Sequence, residues 1–255
     1  MEFIDTHSHL YDEAFAGEED LALQRAIDAG VTRLIFPDID SQSRASMFAF
    51  ADRHPENIFP CIGLHPTSVD ANWEKEMMEV EKHLDRKIVA IGEIGIDCYW
   101  SKEFLDQQKE VFRTQLEMAA RLNLPVIIHS RESTELIINI LKESKHLDLK
   151  GVFHAYSGSR ETYCELERLG DWYIGIGGVL TYKKASIAET VKDIPLDRIL
   201  LETDSPYLTP VPFRGKRNES SYVPYIAHKL SELTGRDLQE IASTTTENAK
   251  KLFKI

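Results

Sequence analysis

The stretch Phe3-Ile4-Asp5-Thr6-His7-Ser8-His9 joins a short apolar segment to a His-x-His pair near the start of the chain. Residues i and i+2 of a β-strand point to the same side, so both imidazoles can reach one metal ion without bending the backbone. A His-x-His pair alone is weak evidence, because exposed pairs also arise by chance. The stretch predicts a first strand whose carboxyl end carries candidate metal ligands.

The same arrangement recurs along the chain, where short runs rich in Ile and Val alternate with amphipathic stretches. Such alternation is typical of parallel strands joined by crossover helices. We predict eight strands, near residues 3–7, 33–36, 58–63, 88–92, 126–129, 151–154, 172–176 and 199–202. Helical patterns cover residues 21–29, 107–122 and 133–145, and a final helical pair covers 221–234 and 237–253 with Gly235 as the C-cap between them.

Eight strands in 255 residues predict an α/β fold of the (β/α)8 TIM-barrel type, although a doubly wound sheet has the same local pattern. No linker rich in Pro, Gly or Ser divides the chain. We therefore expect a single domain over residues 1–255.

The composition, 42% hydrophobic and 28% charged, is that of an ordinary globular protein without a membrane span. No basic segment followed by an apolar one stands near Met1, so we expect no secretory signal and a cytoplasmic location. Cys61, Cys98 and Cys164 are widely spaced, which argues against a disulfide framework or a zinc-thiolate site. No obligate protein partner is evident.

The formal net charge of -12 bears on possible partners. Proteins that hold nucleic acid by counterion release normally present a basic face, so tight nonspecific binding of duplex is not expected. An acidic chain can still process nucleic acid if bound cations neutralise the phosphate locally.

In a TIM barrel the functional residues lie at the carboxyl ends of the strands. Seven polar residues follow predicted strands in this way: His7, His9, His65, Glu93, His129, His154 and Asp204. The remaining four histidines have charged neighbours in helical or turn contexts, and we expect them at the surface: His54, His83, His146 and His228.

Imidazole and carboxylate ligands suit zinc, manganese or iron, and four histidines plus two acids suffice for two ions that share a bridging carboxylate. Glu93 is the natural bridge, because its neighbours are apolar or Gly and an unpartnered charge there would be costly. The alternative is an exposed acid at a strand end. Glu202 lies two residues before Asp204, so it shares a face with it and is expected to orient a ligand or a water, or else to form a salt bridge inside the barrel.

Two weaker signals concern phosphate binding. The segment Gly175-Ile176-Gly177-Gly178 could present backbone amides to a phosphate, but we favour a tight turn there. Arg214, Lys216 and Arg217 form a compact basic cluster that is either a set of phosphate contacts or a solvated loop. Arg131, close after His129, is a further candidate substrate contact.

Seven segments in order along the chain carry a family resemblance: IDTHSHL (4–10), IGLHP (62–66), AIGEIGID (90–97), PVIIHSRES (125–133), FHAYSG (153–158), LLETDSPYLTP (200–210) and GKRNES (215–220). Together they resemble the TatD family of metal-dependent deoxyribonucleases, within the amidohydrolase-like barrels. The resemblance implies a (β/α)8 fold and hydrolysis of phosphodiester bonds in DNA, from the 3' end, with two divalent ions such as Mg, Mn or Zn.

Position by position, the resemblance assigns metal ligation to His7, His9, Glu93, His129, His154 and Asp204. It implies that His65 faces the scissile group and does not hold metal. Two departures lie outside this set: Cys98 stands where an aromatic residue is common, and Ser220 where Pro is common.

The expected mechanism uses Asp204 to accept a proton from water and His65 to donate a hydrogen bond to the phosphate. Single-stranded or frayed ends are the expected substrate, because a flexible strand enters a barrel mouth more easily than a rigid duplex. One alternative is an amidohydrolase acting on a C–N bond, which commonly bridges its metals with a modified Lys, and no Lys ends a predicted strand. A second alternative is a metal-binding barrel that has lost catalysis, and such a protein should lack one of the metal-ligating residues.

Overall fold

The computed structural model describes all residues 1–255 and contains eight strands that alternate with helices. The strands are β1 (Phe3–Asp5), β2 (Val31–Phe36), β3 (Ile58–Pro60), β4 (Ile91–Asp97), β5 (Val126–Arg131), β6 (Lys150–Phe153), β7 (Asp171–Ile176) and β8 (Ile199–Leu201). The α-helices are α1 (Glu19–Asp28), α2 (Ser41–Arg53), α3 (Trp73–Glu81), α4 (Leu105–Leu122), α5 (Thr134–Glu143), α6 (Arg160–Glu167), α7 (Ile187–Thr190), α8 (Val223–Thr234) and α9 (Leu238–Phe253). No helix is both long enough and apolar enough to cross a membrane.

All strand pairs are parallel, and the strands follow chain order in two sheets, β1 to β3 and β4 to β8. At one seam between the sheets, the Gly92 N–H donates to the Ile62 carbonyl at 2.9 Å. At the other, the Thr6 N–H donates to the Leu201 carbonyl at 3.0 Å, and Ser8 forms a parallel bridge with Ser205. A doubly wound sheet reverses its strand order, so this unbroken order confirms the predicted (β/α)8 barrel.

The barrel interior has an apolar layer to which each strand, or the residue next to it in the chain, contributes. Its buried members are Ile4, Ile35, Cys61, Ala90, Ile127, Val152, Tyr173 and Leu200, and the C-terminal residues Leu252 and Phe253 of α9 pack against them. Side chains two positions further along a strand point the same way, so His129, His154 and Glu202 follow Ile127, Val152 and Leu200 into the interior. The apolar layer thus forms the floor beneath these polar residues.

The predicted element bounds are mostly displaced by one to three residues, and one displacement matters for function. The fourth strand was expected at 88–92 but runs from Ile91 to Asp97, so Glu93 lies inside the strand and not at its end. The pattern misled because two glycines and two acids interrupt the apolar run of this wholly buried strand. The predicted C-cap is confirmed, since Gly235 ends α8 with φ +69°.

A buried ion pair supports the seam between the two sheets. The Arg44 Nε donates to Asp38 Oδ2 at 2.7 Å, and the Gly63 N–H donates to the same oxygen at 3.1 Å. The Asp38 backbone N–H and carbonyl bond to Gly92 and Glu93, at 2.9 and 3.0 Å. Both charged side chains are at most 2% exposed, so each depends on the other for its charge to be tolerated.

We predict that Arg44→Met lowers the free energy of unfolding by about 3–5 kcal/mol, because it leaves the Asp38 carboxylate buried without its partner. Arg53→Met is the matched control: Arg53 faces Asp20 at 3.5 Å with both side chains exposed, so its loss should cost less than about 1 kcal/mol. Urea denaturation followed by circular dichroism measures both. Equal losses in the two variants would contradict a structural role for the buried pair.

Candidate metal centre

The six predicted ligands and His65 meet at the carboxyl ends of the strands. All of them except Asp204 and His129 are buried, and those two are partly buried. Glu93 lies at the centre of the group, and its side chain is only 3% exposed. The interpretation of Glu93 as an exposed acid is therefore wrong.

The two carboxylate oxygens of Glu93 face two different sets of imidazoles. Oε2 lies 3.1 Å from the His7 Nε2 and 3.8 Å from the His9 Nε2. Oε1 lies 2.8 Å from the His154 Nε2 and 2.9 Å from the His129 Nδ1. A carboxylate arranged in this way can serve one ion with each oxygen.

Asp204, just after the neighbouring strand β8, completes the first set. Its Oδ1 is 3.6 Å from both the His7 and the His9 Nε2 atoms. The Asp204 backbone is left-handed, with φ +57°, and its N–H donates to the His7 carbonyl at 2.8 Å. Such a backbone is uncommon outside glycine and often marks a functional position.

The donor spacing fits divalent metal ions. Four atoms bound tetrahedrally at ~2.1 Å lie roughly 3.4 Å from one another. In the first set, the Nε2 atoms of His7 and His9 are 3.1 Å apart, and their distances to the carboxylates of Glu93 and Asp204 run from 3.1 to 3.8 Å. In the second set, the His129 Nδ1 and His154 Nε2 are 3.3 Å apart, and both contact Glu93 Oε1.

Hydrogen bonds on the far ring nitrogens prepare two of these histidines as ligands. The Tyr11 hydroxyl donates to the Pro37 carbonyl, so it accepts from the His9 Nδ1, at 2.9 Å, and leaves the His9 Nε2 lone pair free. The His129 Nε2 donates to Asp97 Oδ2 at 2.9 Å, which leaves its Nδ1 lone pair free. A partner of this kind fixes the tautomer that a metal ligand needs.

His65 has the opposite tautomer. Its Nδ1 accepts the Thr67 backbone N–H at 3.1 Å, so in the neutral ring the proton is on Nε2. This Nε2 lies 3.2 Å from Glu93 Oε1. His65 is therefore close enough to join the second set, yet it presents a hydrogen-bond donor and not a lone pair.

The charges of the cluster call for a cation. Burial opposes ionisation of Glu93, but His154, His65 and His7 outweigh it and hold the pKa of the carboxyl well below its usual range. Burial also disfavours a charged ring at His154, yet Glu93 outweighs it and raises the pKa of His154 to about 10. Without another cation, protons on the imidazoles balance the buried carboxylates.

Glu202 lies behind the second set. Its Oε1 accepts the Ala155 N–H at 2.5 Å and lies 3.8 Å from the His154 Nδ1, and burial raises the pKa of the carboxyl to about 8. Gly175 leaves room for it, because a Cβ at that position would lie 2.0 Å from Glu202 Oε2. Gly175 therefore makes space for a carboxylate within β7, and the tight turn we favoured there is wrong for this residue.

The predicted substrate-binding residues have unequal surroundings. The Arg217 guanidinium is paired with Glu18 at 2.6 Å, so its charge is already neutralised. Arg214 lies over the Tyr182 ring, Lys216 approaches Phe213, and Arg131 ends β5 over the Tyr99 ring. These three remain candidate substrate contacts.

Sequence reasoning missed Asp97, which ends β4 and bonds His129, and Tyr11, which bonds His9. Residues 93, 95 and 97 share one face of β4, and two of them are acids, Glu93 and Asp97, with Gly95 between them. Strand periodicity could therefore have identified Asp97 as a neighbour of Glu93. The other four histidines lie away from the cluster, as expected; His54, for example, bonds Asp20 at 2.7 Å.

Comparisons with known proteins identify the family of this chain. A family model described as TatD related DNase matches residues 4–254. The uncharacterized metal-dependent hydrolase YabD of Bacillus subtilis is 42% identical, covering 98% of both chains. The 3'-5' ssDNA/RNA exonuclease TatD of Erwinia tasmaniensis is 33% identical, covering 98% of this chain and 99% of its own.

A solved structure gives the same result. The crystal structure of YjjV, a TatD homolog from Escherichia coli K12, superposes with a TM-score of 0.90 at 31% identity, covering 99% of this chain and 98% of that one. The match thus extends over the whole barrel and includes every strand that carries the cluster. The chain is a metal-dependent hydrolase that belongs to the TatD family.

Proposed function

We propose that residues 1–255 form one hydrolase unit that cleaves phosphodiester bonds in DNA and trims single-stranded or frayed ends from the 3' side, using two divalent ions. The observation that carries the proposal is the position of Glu93, whose two oxygens face separate imidazole pairs. The exonuclease name of the Erwinia relative supports the substrate class and the direction.

The ligand sets divide at Glu93. His7, His9 and Asp204, with Glu93 Oε2, would hold one ion, and His129 and His154, with Glu93 Oε1, the other. Mg, Mn and Zn are the candidate metals. When bound, such a pair activates water and neutralises the charge that grows on a phosphate during in-line displacement.

The protein side chains then have distinct tasks. Asp204, partly exposed at the mouth of the site, accepts the proton of the attacking water. The His65 Nε2–H, which points into the second set, donates to a phosphate oxygen and stabilises it as charge develops. Glu202 stays behind His154 and keeps the ring oriented.

The charge balance of the chain favours flexible strands over duplex. A net charge of -12 disfavours a broad contact of the protein with a phosphate backbone. A single strand can direct one terminal phosphate into the barrel mouth, whereas a rigid duplex cannot bend its end into it. We expect this activity in the cytoplasm, without an obligate protein partner.

An amidohydrolase acting on a C–N bond is the alternative. It would use a similar metal pair, but no lysine is among the buried residues, so the bridge in this site is a carboxylate. A non-catalytic metal-binding barrel is a further alternative, and every predicted ligand is present in the cluster, which argues against it.

Purified protein should release nucleotides from end-labelled single strands with Mg, Mn or Zn, slowly from blunt duplex, and not at all with chelator. Asp204→Asn should lower turnover by at least about a hundredfold, the scale expected for loss of a positioned base, while the fold persists. His54→Ala, outside the cluster, should match the wild type. Turnover of a small cyclic amide without nucleotide release under any metal would replace this function with the amidohydrolase one.

Metal content tests the bridge. The wild-type protein should hold about two divalent ions per chain, since six ligands exceed the four of one tetrahedral site. Glu93→Ala should lose at least one ion, because each oxygen of Glu93 serves one set. Inductively coupled plasma mass spectrometry gives the stoichiometry, with His54→Ala as control, and a full metal content in Glu93→Ala would refute the bridge.

Metal binding should release protons. In the metal-free protein, the Glu93 carboxylate outweighs the effect of burial and raises the pKa of His154 to about 10, so that ring is protonated near neutral pH. A ligating imidazole must be neutral, so binding displaces its proton and metal affinity falls as the pH falls. Isothermal titration calorimetry in two buffers of different ionisation enthalpy should report a net release of about one proton or more per chain. Identical heats in both buffers would contradict this.

A further inference from the structure

Two large aromatic side chains are exposed directly after β4, the strand that carries Glu93. Trp100 is 69% exposed and Tyr99 is 50% exposed. Their rings meet edge to face, with centroids 5.0 Å apart. Neither side chain packs into the core, and the hydrolytic residues described above do not use them.

Arg131 holds this aromatic pair together. Its guanidinium carbon lies 3.7 Å from the Tyr99 ring centroid and 5.3 Å from that of Trp100. Arg131 ends β5, two residues after His129, and pairs in the sheet with Asp97. The guanidinium is exposed and makes no salt bridge, so its charge remains available to an anion beside the rings.

A single buried carboxylate ties the aromatic loop to the metal centre. Asp97 Oδ1 accepts the backbone N–H groups of Tyr99 at 2.9 Å and Trp100 at 3.1 Å. Its other oxygen, Oδ2, accepts from the His129 Nε2 at 2.9 Å. The loop backbone and a ring of the second ligand set are therefore held by two oxygens of the same side chain, which is 1% exposed.

We propose that Tyr99, Trp100 and Arg131 form a base-stacking platform, which takes an unpaired nucleobase of the strand whose phosphate enters the metal centre. The proposal rests on the proposed function and names how that substrate is held. Aromatic faces stack on any base and so give affinity without sequence preference. Arg131 adds a cation next to the stacked base, where the neighbouring phosphate of the strand lies.

The charge of the protein explains why such a platform is needed. A chain with a net charge of -12 gains little from a long phosphate footprint, so contacts with the bases must supply the affinity for the strand. Within a duplex, both faces of an internal base are already covered by its neighbours. The platform therefore favours frayed or single-stranded ends. The barrel mouth favours the same substrates, because a flexible strand enters it more easily than a rigid duplex.

The test measures strand binding in the Asp204→Asn background, with a fluorescein-labelled single strand and with the same strand made abasic at its 3'-terminal positions. Trp100→Ala should weaken binding of the base-containing strand by about tenfold, and Trp100→Phe should retain most of the affinity. The abasic strand should bind weakly to the parent protein and no more weakly to Trp100→Ala. In the active enzyme, Trp100→Ala should raise KM with little change in kcat.

Tyr225→Ala is the matched control, since Tyr225 is 44% exposed on α8, beside Asp28 and Ala29 on the outer wall of the barrel. It should behave like the parent protein, and each Trp100 or Tyr225 variant should keep the metal content of the Asp204→Asn parent. Unaltered binding in Trp100→Ala, or an equal loss for both strands, overturns the platform while nucleotide release by the wild type still supports the hydrolase function. If the wild type neither binds nor cleaves any strand, the function and the platform fail together.

Discussion

The buried carboxylate of Glu93 is the constraint on which the rest of the site depends. A charge with a side chain 3% exposed is costly unless partners surround it, and here four imidazoles supplied by separate strands lie within 3.2 Å of its two oxygens. The same residue is bonded through its backbone N–H to Asp38. Side-chain and main-chain contacts together hold Glu93 between the two sheets, where it can reach both ligand sets.

The two seams that close the barrel lie beside the candidate metal centre. The regular ladders stop at the two seams, and several of the candidate site residues lie there. Asp204 bonds the His7 carbonyl at one seam, and Glu93 and His65 lie at the other, where both bond to the segment after β2. We infer that metal binding also tightens the seam between β1 and β8, because the first ligand set combines His7 and His9 from one sheet with Glu93 and Asp204 from the other.

The sequence identifies the candidate ligands, whose side chains the structure brings together, better than it predicts their geometry. Periodicity located the eight strands, and the rule that functional residues follow strands picked out His7, His129 and Asp204, each of which lies within three residues of the end of an apolar run. It misplaced Glu93 within its strand, because buried acids and glycines in β4 hide the apolar pattern. It also missed contacts between residues far apart in the chain, such as Asp5 with Thr203 at 2.6 Å, since one sequence carries no record of which loops meet. Tautomers, which separate His65 from the ligands, depend on such contacts.

An acidic barrel that acts on a polyanion, as we propose, must confine its positive charge to a few places. Arg217 is neutralised by Glu18, while Arg131 and Arg214 lie over aromatic rings without an acidic partner. Further positive charge at the site would come from the bound ions, which attract a phosphate only at short range because salt screens the field beyond about 8–10 Å. Recognition under these conditions depends on contacts within one or two nucleotides of the cleaved bond. A substrate that can bend one terminus into the mouth and offer an unstacked base meets that demand, and a continuous duplex does not.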